Sequence, residues 1–108
     1  MAWTGLCNLE ELTDGQGKFV QIDGFSLAVF LDEGNVFVLD NTCPHAGGPL
    51  SEGMVRNGCC VCPWHGWEFR LADGGSPDAL GAVVTSYKTR IYPRDGKPAL
   101  VQADLPMP

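Results

Sequence analysis

The stretch "NTCPHAGGPL" (residues 41–50) sets a cysteine and a histidine two positions apart around a proline, with two glycines and a second proline behind them. Alone, it suits a buried thiol in a tight turn as well as half of a metal site. The stretch "CVCPWHGWEF" (residues 60–69) supplies a match: a second Cys-Pro unit, with a histidine three positions after the cysteine. Together they read Cys43-x-His45, sixteen intervening residues, then Cys62-x-x-His65. The chain has only two histidines, and each stands beside a cysteine in one of these stretches, so coincidence is a poor account of them.

Three kinds of site use such residues. Two cysteines and two histidines can hold structural zinc as a tetrahedron. Zinc fingers, however, pair like ligands at C-x2–4-C and H-x3–5-H spacing, whereas this chain mixes the types within each stretch. A Cys–His catalytic dyad leaves the duplicated unit unexplained. Ferredoxin spacings built on four cysteines are absent.

Outward from these stretches the chain reads as short β segments. "KFVQI" leads through Asp23-Gly24 into "FSLAVFL", a hairpin signal, and "DEGN" (residues 32–35) turns the chain into "VFVLD". A later pair, "TSYKTRIY" (residues 85–92) and "PALVQ" (residues 98–102), is joined around Arg94-Asp95-Gly96. "NLEELTDGQG" has room for one helical turn before its glycines. Between the hairpins, residues 41–70 hold four of the five cysteines, both histidines and two of the three tryptophans. A loop-rich insertion on a β scaffold is where function is expected.

The formal net charge of −6 argues against nucleic acid or an anionic membrane as the main partner. It favours docking on a basic surface. No run approaches the ~18 apolar residues of a membrane span. The start "MAWTGLCNLEEL" lacks the basic and apolar regions of a secretory signal, so a cytoplasmic protein is expected. The five cysteines are odd in number and crowded, which suits metal binding in a reducing compartment better than a disulfide scaffold. Cys7, Cys59 and Cys60 read as small buried hydrophobes.

The paired motif "CPHAGGPL…CPWHGWEF" resembles that of the Rieske-type [2Fe–2S] ferredoxin family, and the resemblance covers essentially the whole chain. It implies an all-β Rieske-type iron–sulfur fold: an antiparallel β-sandwich with an inserted two-loop cluster-binding subdomain near residues 41–70, within one domain over residues 1–108. It further implies one [2Fe–2S] cluster per chain, with Cys43 and Cys62 as thiolate ligands of one iron and His45 and His65 as imidazole ligands of the other. Neutral imidazoles remove negative charge from the site, so an added electron costs less than in an all-cysteine cluster. Electron transfer follows from such a design, and catalysis does not.

Departures from the pattern narrow the type. Respiratory-chain members carry cysteines at the positions of Gly48 and Trp64, which form a disulfide between the loops, and hydroxyl residues where this chain has Trp67 and Phe69. Lacking these, the chain is similar to the low-potential ferredoxins. The resemblance implies a carrier between a flavin-dependent reductase and a terminal oxygenase. A nitrite reductase small subunit serving a large subunit is the alternative, and a zinc-stabilised structural module a further one. Pro44 and Pro63 restrict the loops, and Gly47, Gly48 and Gly66 permit tight turns. Trp64 suits a cluster shield or docking surface, and Trp67 suits core packing. Arg70 replaces an acidic residue common in the family, and residues 72–84 read as a loop flanking the site.

Overall fold

The computed structural model describes residues 2–44, 47–64, 66–77 and 82–106. Strand β1 (Ala2–Asn8) opens the chain, ahead of the first segment expected from the sequence, and leads into a single 3-10 turn at Leu9–Glu11. Next come β2 (Gly17–Ile22), β3 (Phe25–Asp32) and β4 (Asn35–Asp40). A second 3-10 turn, Leu50–Glu52, precedes β5 (Met54–Arg56), β6 (Cys59–Val61) and β7 (Glu68–Arg70). The chain ends with β8 (Ser86–Tyr87), β9 (Thr89–Arg94) and β10 (Lys97–Leu105). No α-helix occurs among the described residues, and no helix there is long and apolar enough to cross a membrane.

Three hairpins turn on consecutive residues of positive φ: Asp23-Gly24, Glu33-Gly34 and Asn57-Gly58. Such pairs match the right-handed twist of the strands they join, which is why each leads into a regular antiparallel ladder. The third, between β5 and β6, carries the Asn-Gly signal most typical of this turn. It was nonetheless absent from the hairpins expected from the sequence.

The strands form three antiparallel sheets, ordered β1-β10-β9, β2-β3-β4-β8 and β5-β6-β7. The segment 85–92, expected as one strand, is two. Ser86–Tyr87 pairs with β4, and after Lys88 the chain crosses to pair with β10. The corner is pinned where the Tyr87 hydroxyl donates to Asp40 Oδ1 at 2.6 Å and the Thr89 hydroxyl donates to the Val36 carbonyl at 2.9 Å.

The four-stranded sheet is the middle layer. On β3, Leu27, Ala28, Val29 and Phe30 are all fully buried, because successive side chains leave on opposite faces and both faces are covered. Leu27 and Val29 pack with Val38, Val101, Ala103 and Leu105 against the β1-β10-β9 sheet. Ala28 and Phe30 pack on the other side with Leu39, Leu50, Cys60, Phe69 and Leu71, beneath the cysteine-bearing loops. Burying a Leu, Val or Phe side chain contributes about 1.5–3 kcal/mol, so this doubly covered strand anchors both halves. Gly17 marks a close approach to the site's base. A Cβ there would lie 2.5 Å from the Ser51 carbonyl oxygen and 2.7 Å from Phe30 Cε1.

Candidate metal centre

Cys43 and Cys62 sit in two loops closed by the same hydrogen bonds. In the first, the Cys43 amide donates to the Gly48 carbonyl at 2.9 Å, and the Gly47 amide donates back to the Cys43 carbonyl at 2.8 Å. In the second, the Cys62 amide donates to the Trp67 carbonyl at 2.7 Å, and the Gly66 amide to the Cys62 carbonyl at 2.9 Å. Gly47 and Gly66 adopt φ of 76° and 79°, a left-handed conformation that lets each loop fold back within five residues and that a Cβ would penalise. The duplication read from the sequence is thus a duplication of backbone structure.

Each loop stands on regular structure. The first follows β4 and is clamped by Asn41, whose amide donates to the Ser26 carbonyl. Its carbonyl accepts from the Leu50 amide, and its side-chain oxygen from the Ser51 amide at 2.8 Å. The second spans the β6–β7 hairpin, whose last pairs are Cys60 with Phe69 and Val61 with Glu68. Cys43 and Cys62 are each 1% exposed, while Pro44 and Pro63 beside them reach the surface. None of the five cysteines is in a disulfide.

Cys60 shares the buried pocket but is already engaged. Its thiol donates to the Leu50 carbonyl at 3.4 Å. Burial, and after it the neighbouring Cys62, Cys43 and Cys59 sulfurs, push its pKa up to about 12. Cys59 points to the other face of the small sheet, in the row of Arg56 and Arg70. Arg56 pairs with Glu68 at 2.9 Å and Arg70 with Asp73 at 3.0 Å. Cys7 lies in the far core, and burial followed by Glu11 raises its pKa to about 11. Among the described residues no group of three or more His, Cys, Asp or Glu side chains is placed to hold a metal. Cys43 and Cys62 are the two members of the ligand set expected from the sequence that the described residues include. His45 and His65, the other half expected from the sequence, lie outside the described residues.

The structure adds a relationship that spacing could not reveal. Gly48 of the first loop touches the second: a Cβ on it would meet Cys62 Sγ at 2.9 Å and the Trp64 ring at 3.1 Å. Trp64 is 64% exposed and, with Met54, Arg56, Val61, Cys62 and Pro63, lines an open groove of about 620 Å³. Trp67 turns inward, half-buried against the core beneath the loops, and Phe69 is fully buried. The loop after β7 packs inward through Leu71, Ala82 and Val84. Its residues 78–81 lie outside the described residues.

Two buried cysteines in matched turns on a β scaffold suit an iron–sulfur domain, and comparison with known proteins assigns the chain to that class. Residues 2–88 match the family model of the Rieske [2Fe–2S] domain, and the chain belongs to that family. Its cofactor is accordingly a [2Fe–2S] cluster, and its role is that of an electron carrier. The ferredoxin of carbazole 1,9a-dioxygenase from Nocardioides aromaticivorans IC177 is similar in structure. Its TM-score is 0.77 at 27% identity, covering 94% of this chain and 97% of that one. A chain from Mycobacterium tuberculosis, described as an NADH-dependent nitrite reductase small subunit, has a TM-score of 0.82 at 28% identity, covering 98% and 97%. Human apoptosis-inducing factor 3 is 32% identical over 101 residues, which is 88% of this chain but only 17% of that protein. The chain thus spans a small part of the curated relatives it matches.

Proposed function

We propose that this chain is a one-electron carrier, a single domain over residues 1–108, whose [2Fe–2S] cluster is held by Cys43 and Cys62 on one iron and by His45 and His65 on the other. The observation that carries this reading is the pair of matched turns, each presenting a buried cysteine sulfur. The donors fit the group: two sulfurs screened from water suit iron and sulfide, and a histidine follows each cysteine within three positions. When bound, the cluster supplies a one-electron couple, whose potential two imidazoles raise above that of an all-cysteine cluster.

The chain's own residues do the rest. Gly47 and Gly66 allow the reversals that aim both sulfurs inward. Asn41 fixes the first loop, and the β6–β7 hairpin fixes the second. Met54 and Trp64, 65% and 64% exposed, offer an apolar docking surface beside Cys62.

In our reading the electron comes from an NAD(P)H-dependent flavin reductase and goes to a terminal oxygenase, with the cytoplasm as its setting. Support comes from the near-complete two-way coverage with the dioxygenase ferredoxin. The comparable match to the nitrite reductase subunit favours a second reading, in which the partner is the large subunit of that enzyme. Reconstitution separates them. The purified protein should carry electrons from an NAD(P)H-dependent flavin reductase to a terminal oxygenase, measured as product per NAD(P)H consumed. Transfer only to a sirohaem nitrite reductase would establish the second reading instead.

A further inference from the structure

Gly48 does not sit in the left-handed region, so its backbone conformation does not call for glycine. Space does. A Cβ would come within 2.9 Å of Cys62 Sγ and 3.1 Å of both Cγ and Cδ2 of Trp64, closer than the 3.4–4 Å of ordinary van der Waals contact. The base of the indole is therefore seated on the first loop's backbone, although Trp64 belongs to the second loop. Its far side is open to solvent as a wall of the groove that reaches Cys62. A ring so placed lies at the inter-loop seam, where Gly48 also approaches the Cys62 sulfur. No disulfide bridges that seam.

We propose that Trp64 is a positioning residue: its indole, seated on Gly48, clasps the two cysteine loops together and keeps water from the Cys62 sulfur. This rests on the reading of Cys62 as a cluster ligand. Two consequences follow. Opening the clasp lets water solvate the cluster edge, which favours the reduced, more negative state and raises the potential. It also exposes the iron–sulfur bonds, so the cluster is lost faster in air.

The test compares holoproteins of Trp64→Ala, Trp64→Phe and Gly48→Ala with the unaltered chain, by redox titration and by the rate of visible bleaching in air. Trp64→Ala should titrate at a higher potential and bleach several-fold faster, and Trp64→Phe should recover most of both. Gly48→Ala should also bleach faster, but by less in the Trp64→Ala background, where the added methyl has room on one side. Should Gly48→Ala fail to fold, the Trp64→Ala and Trp64→Phe pair decides. A Trp64→Ala protein with unchanged potential and bleaching rate would overturn the clasp. Cys62→Ser is the separate control: an unaltered cluster spectrum in that variant would overturn the ligand reading, and the clasp with it.

Discussion

Cys60 donates its thiol hydrogen to the Leu50 carbonyl at 3.4 Å, tying the strand that leads into the second loop to the turn that leaves the first. The sulfur next to the site is thus a hydrogen-bond donor in the core rather than a third thiolate. Cys60→Ala should keep full iron and sulfide content and an unchanged EPR spectrum. Its stability should fall by about 1 kcal/mol, the usual worth of such a bond. Cys43→Ala and Cys62→Ala should lose the cluster. Metal analysis and urea melts of the three variants make the comparison.

Gly17 lies against Ser51 and Phe30 with no space for a methyl group. Gly17→Ala should destabilise the fold by about 1–3 kcal/mol, the range for overpacking. The urea midpoint should drop with the m-value unchanged. An unaffected midpoint would mean that β2 and the Leu50–Glu52 turn move apart freely.

Burial, then the hydrogen bond to Asp40, raises the Tyr87 pKa above its ordinary value of 10.0, and burial followed by Glu11 raises Cys7 from 9.0 to about 11. Both groups hold their protons more tightly folded than unfolded. The stability they contribute is complete below the unfolded pKa and fades as pH climbs toward the folded one. Thermal stability should therefore decline from about pH 9 upward. Cys7→Ala should flatten the limb between pH 9 and about 11, and Tyr87→Phe the part above pH 10. Melts across pH 8 to about 11 read this directly, and equal slopes in all three proteins would contradict it.

His45→Cys or His65→Cys should lower the reduction potential wherever the cluster survives, because the new thiolate adds negative charge beside the iron. An unchanged potential in either variant would remove that histidine from the ligand set.

The two matched loops were legible in sequence because each cysteine, its proline and its closing glycine lie within five residues of one another. Two Cys-Pro units with trailing histidines need no knowledge of the fold to be noticed, and the glycines that close each loop are adjacent to them. The contact of Gly48 with Trp64 was not legible, since it depends on how two separate hairpins meet. The strand "FSLAVFL" was legible as one arm of a hairpin, but its place in the middle layer was not drawn from the sequence, although its run Leu27–Leu31 is continuously apolar, as suits a strand covered on both faces. Strand β1 lacked such a pattern: "AWTGLCN" contains Gly5, and its register with β10 shifts between Gly5 and Cys7. The break at Lys88 was invisible because the residues on both sides favour strands, and only their different partners divide them.

The central claim, a cluster bound by two histidines and two cysteines, is tested most directly by pulsed EPR of the reduced protein prepared with 15N-labelled histidine. Two strongly coupled 15N nuclei are predicted, and both should disappear from the spectrum of unlabelled protein. A reduced cluster without coupled nitrogen, or stoichiometric zinc without any EPR signal, would contradict the account.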